Sequence, residues 1–233
     1  MAGVFALVPA YNEALTIGDT VKALGSLGLF EQVIVIDDCS SDGTGRIAAD
    51  SGARVVVNGR NLGKGVSLGR VAGELDFDIL VMVDGDLGAS AGQAGRLVEP
   101  VLSGEADMAI AAFAPPARKG GFGLVQNLAR WAILRLTGAA MRSPLSGQRA
   151  ITGELFREVS PLERGFGVET ALTIDALSSG YRVVEVDTDM THRETGRDLP
   201  GFIHRGRQFR DVARVIISRF YRRYWSGSPR GAR

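Results

Sequence analysis

The chain has 233 residues, of which 45% are hydrophobic and 23% are charged. That length and composition suit one globular domain with its own core, and they exclude a disordered or collagen-like chain. The single cysteine, Cys39, excludes an intramolecular disulfide framework and suits a reducing compartment. We expect no signal peptide, because the first apolar run lacks a basic flank, and no transmembrane helix, because no run of about 18 uncharged apolar residues occurs.

Charge is distributed unevenly along the chain. Residues 1–110 contain 7 lysines and arginines against 15 aspartates and glutamates, whereas residues 111–233 contain 20 against 11. The overall net charge of +1 therefore combines an acidic first half with a basic second half. This polarity favours a cation site in the first half and an anion site in the second, although a chance variation of surface charge is the simpler alternative.

Strand and helix patterns alternate through the first half. Short β-branched runs predict strands, and apolar residues at helical spacing predict the helices between them. We predict strands at 4–8, 33–36, 55–57 and 79–83, and helices at 16–27, 44–51 and 64–74. The alternation predicts an α/β fold with a central, mostly parallel sheet flanked by helices, since parallel strands need crossover connections.

The second half is less regular. We predict strands at 108–112 and 182–186, helices at 124–136 and 202–224, and a mobile loop at 114–123 that contains two prolines and three glycines. No internal repeat or linker divides the chain, so we expect a single domain over residues 1–233.

Polar clusters directly follow three of the predicted strands, at 9–13, 37–42 and 84–86. Because the carboxyl ends of parallel strands meet at one sheet edge, we expect these clusters to converge there. Asp84 and Asp86 present two carboxylates just after a buried strand, which suits Mg²⁺ or Mn²⁺. Such a pair by itself is more typical of a solvated turn.

Four segments in chain order carry a resemblance to a known family. They read VPAYNE (8–13), VIDDCSSDGT (35–44), NLGKG (61–65) and DGD (84–86). At this spacing they resemble the nucleotide-binding half of family 2 glycosyltransferases with the GT-A fold, over residues 1–110. The resemblance implies a Rossmann-like GT-A domain, a UDP- or GDP-hexose as donor, and Mg²⁺ or Mn²⁺ as cofactor.

The resemblance and side-chain chemistry together suggest donor-site roles. In the family, the position of Asp37 contacts uracil, and the two DxD carboxylates hold the metal and ribose. Glu13 suits a ribose hydroxyl, Tyr11 offers a ring edge beside the base, and Lys64 offers an ammonium to the base or phosphate. The predicted donor site comprises Pro9, Tyr11, Glu13, Asp37, Lys64 and Asp84.

Three residues of the donor motifs have a structural alternative. Asp38 and Asp42 are equally well explained as caps of the following helix. Lys64 is alternatively a surface lysine.

Three segments of the second half resemble acceptor elements. SPLSGQRA (143–150) resembles the S-G-x-R-A element of polyprenyl-phosphate glycosyltransferases and the P-L-x-G element of glucosyl-3-phosphoglycerate synthases. GFGVE (165–169) resembles a segment found in both groups. In THRETGR (191–197), the histidine resembles the third metal ligand of the synthases, and the arginine resembles the R-x-x-G segment of the polyprenyl group.

Both groups use an acceptor that carries a phosphate, which gives the second-half residues their expected roles. Ser146 and Arg149 suit that phosphate, because a guanidinium matches its geometry, and Glu169 could orient the acceptor or a sugar hydroxyl. The predicted acceptor site comprises Arg118, Lys119, Ser146, Arg149 and Arg193, with Arg118 and Lys119 on a loop that closes. We assign catalysis to Asp86, Arg149 and Glu169, and metal binding to Asp84, Asp86 and His192. Alternatives are a structural salt bridge for Arg149 and no ligation for His192.

One position departs from the polyprenyl group. Members often carry Gln two residues after the second metal aspartate, where this chain has Gly88. The difference removes one candidate ligand, favours His192 as its replacement and weakens the polyprenyl assignment. Asp187 and Asp189 lie near His192 in the sequence and could serve as a base or support the site.

The C-terminal segment is basic and aromatic. From Arg197 onward it contains ten arginines against Asp198 and Asp211, with aromatic residues between them. A basic helix with an aromatic end suits an anionic membrane surface. A helix packed on the domain, or a homodimer contact, is an equal alternative, and no motif supports nucleic-acid binding.

We therefore predict a metal-dependent enzyme that moves a hexose to a phosphate-bearing acceptor, preferably polyprenyl phosphate, in the cytoplasm or peripherally at the inner face of the membrane, for the cell envelope. Residues 1–110 would bind the donor, 111–200 the acceptor, and 201–233 would form the basic amphipathic helix and tail. The alternatives are a soluble enzyme acting on 3-phosphoglycerate and an inactive nucleotide-sugar-binding scaffold.

Overall fold

The structure is a computed structural model that describes residues 3–113, 123–163, 165–191 and 199–225, with the backbone alone at 166, 199–205 and 207. The strands within these ranges are β1 (Val4–Ala10), β2 (Gln32–Asp37), β3 (Arg54–Val57), β4 (Ile79–Met82), β5 (Met108–Phe113), β6 (Arg149–Thr152) and β7 (Val183–Thr188). They form one sheet in the order β3-β2-β1-β4-β6-β5-β7.

The sheet is parallel except around β6. β1 pairs in parallel with β2 and β4, and β5 pairs in parallel with β7. β6 runs antiparallel to both of its neighbours, with Arg149 opposite Met82. The start of β6 therefore lies at the same sheet edge as the carboxyl ends of the parallel strands.

Helices cover both faces of the sheet. They are α1 (Ile17–Gly25), α2 (Thr44–Asp50), α3 (Lys64–Ala72), α4 (Gly95–Leu102), α5 (Gly123–Thr137), α6 (Gly153–Val159), α7 (Val168–Ser178) and α8 (Leu199–Trp225), with 3₁₀ helices at Gly88–Ala94 and Gly165–Gly167. None of the described helices is long and apolar enough to cross a membrane.

Side-chain alternation along the strands gives two cores. One face of β1 places Ala6 and Val8 against α1, α2 and α4, and the other places Leu7 against α3, α6 and α7. A third cluster joins α5 to α8 beyond that second layer. Helix α8 therefore packs on α5 and α7 rather than on the sheet.

The predicted fold class is confirmed, and each element predicted within the described residues is present with ends shifted by a few residues. The α4 region, β6, α6 and α7 were not predicted. Helix α7 is buried on nearly every side, so it lacks an amphipathic period. The predicted loop at 114–123 lies, apart from Gly123, outside the described residues.

Candidate active site

The loops that follow β1 and β2 are hydrogen-bonded to each other. The Asn12 backbone N–H donates to Ser40 Oγ at 2.9 Å, and the Ser41 N–H donates to Asn12 Oδ1 at 2.9 Å. One residue further on, the Glu13 N–H donates to Thr44 Oγ1 at 2.8 Å. Two segments about 30 residues apart in the chain thus form one continuous polar surface.

Adjacent aspartates at the end of β2 have different partners. Asp37 is 6% exposed and accepts a hydrogen bond from the Ser40 N–H at 2.9 Å. A Cβ at Gly45 would lie 2.6 Å from Asp37 Oδ2, so glycine is required there for the carboxylate to keep its position. Asp38 instead faces away from the helix that follows it.

Asp38 organises the loop before α3. Its carboxylate accepts hydrogen bonds from Asn58 Nδ2 at 2.6 Å, the Leu62 N–H at 2.9 Å, the Gly63 N–H at 2.8 Å and Ser67 Oγ at 3.1 Å. Burial alone would raise the pKa of Asp38, but these hydrogen bonds outweigh it and lower the pKa below 3.8. The helix-cap alternative is therefore wrong for Asp38.

Asp42 hydrogen-bonds to the start of α2 without being its N-cap residue, which is Gly43. Asp42 Oδ1 accepts from the Thr44 N–H at 3.0 Å and from Thr44 Oγ1 at 2.5 Å, at the first residue of α2. Its other oxygen accepts from the Ala14 N–H at 3.1 Å. These contacts, led by the Thr44 hydroxyl, lower the pKa of Asp42 and tie the start of α2 to the loop after β1.

Lys64 lies at the centre of the site. It is the first residue of α3, and its ammonium contacts Asp84 Oδ1 at 2.6 Å and Glu169 Oε1 at 2.9 Å. Burial alone would lower the pKa of Lys64, but Asp84 and then Glu169 raise it above its usual value. The lysine is therefore a charged bridge between the first half of the chain and α7, which excludes the surface-lysine alternative.

The loop before β6 completes the contacts of Asp84. Gln148 Nε2 donates to Asp84 Oδ2 at 2.9 Å. A Cβ on Gly147 would overlap Lys64 Nζ and lie 2.7 Å from Asp84 Oδ2. The backbone of this loop thus approaches the charge pair as closely as glycine allows.

The turn at Gly85 is fixed to α1. The Gly85 carbonyl accepts from Thr16 Oγ1 at 3.1 Å and Thr20 Oγ1 at 3.0 Å. A Cβ on Gly85 would lie 3.5 Å from Glu13 Cγ, which puts Glu13 beside the turn that carries Asp84 and Asp86. The expected convergence of the three polar clusters on one edge is therefore observed.

The donor set suits a hard divalent cation. Asp84 and Asp86 are partly exposed carboxylates on one turn, with Glu13 nearby. Among the described residues, no group of three or more His, Cys, Asp or Glu could hold a metal. Mg²⁺ and Mn²⁺ commonly use one or two carboxylates together with substrate phosphates, so this incomplete set fits them.

Arg149 has a different environment from the one its motif suggested. It is 1% exposed, and its guanidinium donates to Ser146 O at 2.9 Å, Thr173 Oγ1 at 2.8 Å and Pro144 O at 3.4 Å. Burial lowers the pKa of Arg149 to about 10, opposed by the charges of Glu169 and then Glu185. This packing favours a structural role, although it is not the salt bridge that was the alternative, and we do not place Arg149 against an acceptor.

Two further residues position the loop before β6. Glu185 on β7 accepts from the backbone N–H groups of Arg142, at 2.8 Å, and Ser143, at 2.6 Å. Asp187 pairs with the Arg142 side chain at 2.9 Å. It therefore supports the loop before β6 and is not placed as a base beside Lys64 and Asp84. Sequence reasoning missed Glu185 and Gln148; the variable position of S-G-x-R-A was the one available signal for Gln148.

The remaining predicted residues divide into two groups. Tyr11 is 51% exposed and Pro9 is partly buried, both at the end of β1, and Ser146 is buried with a hydroxyl that bonds to no described residue. Four predicted residues lie outside the described residues: Arg118, Lys119, His192 and Arg193.

Comparison with known sequences identifies the family. The sequence profile described as Glycosyl transferase family 2 matches residues 5–151, which include all four donor motifs and the loop before β6. The chain belongs to glycosyl transferase family 2. The deciding match thus covers the same loops that the structure joins around Asp84.

Three individual proteins resemble the chain over most of its length. Glycosyltransferase AglJ of Haloferax volcanii is 33% identical over 197 residues, which are 82% of this chain and 64% of that protein. Glucosyl-3-phosphoglycerate synthase of Mycobacterium tuberculosis is 33% identical over 192 residues, which are 72% and 59% of the two chains. Undecaprenyl-phosphate mannosyltransferase of Micrococcus luteus is 28% identical over 211 residues, which are 83% and 85%.

A solved structure shares the fold. The M. tuberculosis synthase, crystallised with Mn²⁺, uridine diphosphate and phosphoglyceric acid, superposes with a TM-score of 0.80 at 29% identity, covering 94% of this chain and 78% of that chain. This similarity supports the GT-A architecture that the motifs implied.

Proposed function

We propose that the chain transfers a hexose from a UDP- or GDP-sugar to a phosphate-bearing acceptor, preferably polyprenyl phosphate, with Mg²⁺ or Mn²⁺. One observation carries the proposal: Lys64, Gln148 and, through Lys64, Glu169 all engage Asp84 of the DGD turn. Segments with donor and acceptor resemblance therefore meet at one carboxylate, as transfer between two substrates requires.

The donor would lie across the loops after β1 and β2. We assign Asp37 to the base, Tyr11 and Pro9 to its ring face, and Glu13 to the ribose. The buried position of Asp37 and the exposed ring of Tyr11 suit these roles. Asp84 and Asp86 would hold the metal, with His192 as the proposed further ligand.

The metal, when bound, neutralises charge that develops on the diphosphate leaving group. Lys64 adds a fixed positive charge at the same place, since two carboxylates hold its ammonium. Such preorganised charge is commonly the largest contribution to transferase catalysis. An acceptor that is itself a phosphate anion needs little further base catalysis.

The acceptor would lie beside the loop before β6. Ser146 has a buried hydroxyl that bonds to no described residue. Glu169 lies near the same loop, because it pairs with Lys64, whose ammonium lies against Gly147. Arg118, Lys119 and Arg193 remain proposed contacts for the acceptor phosphate. The mannosyltransferase relative supports a lipid-linked acceptor, and the basic α8 would suit the cytoplasmic face of a membrane.

The second candidate acceptor is 3-phosphoglycerate. The similarity to the M. tuberculosis synthase, in sequence and in fold, favours it. Both candidates share the division that we propose for one domain: donor binding in residues 1–110, acceptor binding in 111–200 and a helical tail in 201–233.

The deciding experiment is a transfer assay with the purified chain. A panel of UDP- and GDP-sugars would be offered with Mg²⁺ or Mn²⁺, with polyprenyl phosphate in detergent and 3-phosphoglycerate in separate reactions. Transfer to the lipid supports the proposal, and transfer to phosphoglycerate alone replaces it with the second candidate. Donor binding without transfer or hydrolysis would make the chain a scaffold.

The same assay tests the metal assignment. We expect Asp86→Ala to abolish the metal-dependent part of donor binding, measured by calorimetry with and without Mn²⁺. Glu99→Ala, which removes an exposed carboxylate on α4, is the matched control and should leave binding unchanged. Mn²⁺-dependent binding retained by Asp86→Ala would remove Asp86 from the metal site.

A further inference from the structure

Helix α5 carries an exposed apolar stripe. Leu124 is 77% exposed, Trp131 is 54% exposed and Leu134 is 51% exposed. At 3.6 residues per turn these positions, together with Arg135, lie within about 100° of one another around the helix. The opposite side of α5 is buried through Val125, Ala129 and neighbouring residues, so the stripe faces outward.

Helix α8 carries a matching stripe. Ile217 is 69% exposed, Tyr221 is 62% exposed, Tyr224 is 53% exposed and Trp225 is 79% exposed. At 3.6 residues per turn they lie on one side of the helix, with Arg214 among them. The two stripes thus expose seven large apolar side chains on helices that pack against each other.

Ring contacts join the two stripes. Trp131 stacks on Phe220 with a centroid distance of 5.6 Å, and Phe220 stacks on Tyr224 at 5.9 Å. Tyr221 and Trp225 stack at 6.2 Å. Trp131, Phe220 and Tyr224 therefore form one stack across α5 and α8. These three rings and the Tyr221–Trp225 pair together are called the aromatic surface.

The aromatic surface is held rigidly. Val212 and Ile216 pack into the cluster shared with α5, and the 7%-exposed Arg219 pairs with Asp175 at 2.6 Å and with Glu163. These contacts fix the face that α8 turns inward. Because the inward face of α8 is already packed, the exposed rings are not core residues of an unpacked helix.

The stretches of α5 and α8 that carry the aromatic surface have charges of one sign. Residues 123–137 and 212–225 contain six arginines and no aspartate or glutamate. Four of these arginines are exposed: Arg135, Arg214, Arg222 and Arg223. An exposed apolar patch bordered by cations indicates an interaction site with an anionic partner that has an apolar interior.

We propose that the exposed faces of α5 and α8 together dock onto an anionic lipid bilayer. Tryptophan and tyrosine rings favour the level of the lipid head groups, and arginines nearby gain from the negative surface potential. A second copy of the chain fits less well, because a two-fold contact through this surface would place its arginines against their own equivalents.

Docking would bring the proposed acceptor site close to the bilayer. Leu145 packs against the cluster shared by α5 and α8, and the next residues, Ser146 to Gln148, reach Asp84. A lipid-linked acceptor could therefore meet the loop before β6 without leaving the membrane. In this respect the inference rests on the proposed function, whereas the docking itself does not.

Intrinsic fluorescence offers a direct test, because the chain has two tryptophans and both lie in the aromatic surface. The full chain would be mixed with phosphatidylcholine vesicles containing phosphatidylglycerol but no polyprenyl phosphate. Trp131→Phe and Trp225→Phe each leave one reporter. We expect the emission of both reporters to shift to shorter wavelength with anionic vesicles and not with pure phosphatidylcholine.

Matched pairs of variants measure how much the arginines and apolar side chains contribute to vesicle partition. Arg135→Gln with Arg214→Gln should weaken vesicle partition about 30-fold, since each arginine near an anionic surface contributes about a fivefold factor. Arg46→Gln with Arg96→Gln makes the same charge change on α2 and α4, across the sheet, and should have little effect. Ile217→Ser should weaken partition, whereas Leu102→Ser on α4 should not.

Three outcomes would overturn the inference. A response of Trp225 without Trp131 would exclude α5, equal losses in the test and control variants would exclude a specific surface, and no partition would exclude docking. If light scattering shows a dimer that Ile217→Ser dissociates, with no vesicle binding, the surface is a contact between copies. Transfer to detergent-solubilised acceptor, measured in parallel, keeps failure of docking separate from failure of the proposed function.

Discussion

The loops of the proposed donor half hold one another through short polar side chains, whereas the loop before β6 is held by longer side chains, one of which comes from β7. Asn12, Ser40, Asp42 and Thr44 bond mainly to nearby backbone across neighbouring strands. The loop before β6 instead depends on the buried Arg149, on contacts with β7 and on a contact with Asp84 of the DGD turn.

This difference concerns how each region acquires its geometry. The loops after β1 and β2 gain their shape once β1, β2 and β3 have paired, because their hydrogen-bond partners follow those strands directly. The loop before β6 gains its shape only when α7 and β7 are also in place. Glu185 on β7 accepts from the loop backbone, and Thr173 on α7 accepts from Arg149, which holds the loop. We expect substitutions in the second region to affect stability and geometry over longer distances.

The largest expected effect on this comparison is that of Arg149→Ala. It leaves the carbonyls of Ser146 and Pro144 and the Thr173 hydroxyl without their donor, and it opens a cavity. We expect the free energy of unfolding to fall by about 3–5 kcal/mol, measured by urea denaturation. Arg142→Ala, which removes an exposed side chain from the same loop, should cost less than about 1 kcal/mol.

A different result for Arg149→Ala would revise its role. Unchanged stability together with a raised KM for the acceptor would return Arg149 to direct acceptor binding. Unchanged stability with unchanged kinetics would show that the loop before β6 does not depend on its buried guanidinium.

Next in size is Lys64→Met, which removes the contact between the two regions. Without the ammonium, the carboxylates of Asp84 and Glu169 lose their shared cation, and the leaving group loses a fixed positive charge. We expect kcat/KM for transfer to fall by about 10²- to 10³-fold. Lys22→Met, at an exposed position of α1, is the control, and transfer by Lys64→Met at near the control rate would contradict this role.

The donor region was largely predictable from sequence. Asp37, Asp84 and Glu13 each follow a strand or its turn, and the strand pattern alone predicts that such residues share one edge. The roles of two adjacent acidic residues were harder to predict. Asp37 and Asp38 look alike in sequence, yet Asp38 accepts hydrogen bonds from a loop more than 20 residues away. Such a partner depends on the approach of β3 and α3, which local patterns do not encode.

The acceptor region was only partly predictable. The motif around Ser146 pointed to the loop that reaches Asp84. The deep burial of Arg149 could not be predicted, because it depends on α7, which is buried on nearly every side and shows no helical period in sequence. Glu185 lies within a strand and belongs to no motif. The exposed face of α5 was also missed, because its apolar residues look in sequence like those of any packed helix.

A smaller effect is expected from Gly147→Ala. The added methyl group would displace the Lys64 ammonium and crowd Asp84, while the surrounding core stays intact. We expect transfer to fall by about 10- to 100-fold, because small misplacements at a reacting centre are costly, with unfolding free energy nearly unchanged. Gly25→Ala, where nothing lies within 4 Å of the added Cβ, is the control. Full activity in Gly147→Ala would show that the close approach is not needed.

The smallest expected effect is that of Asp38→Asn within the donor region. The four hydrogen bonds to Asp38 hold its folded pKa below 3.8, so the ionised carboxylate stabilises the fold above that pH and the contribution is lost as pH falls through the folded pKa. We expect Asp38→Asn to lower the unfolding free energy by about 1–2 kcal/mol at pH 7. Urea denaturation at pH 7 and near pH 3 measures the difference in unfolding free energy between wild type and Asp38→Asn. We expect this difference to be smaller at the lower pH. Asp19→Asn, at an exposed position of α1, controls for the loss of one charge. A difference that stays constant with pH would mean that the side-chain geometry of Asp38, and not its charge, organises the loop before Lys64.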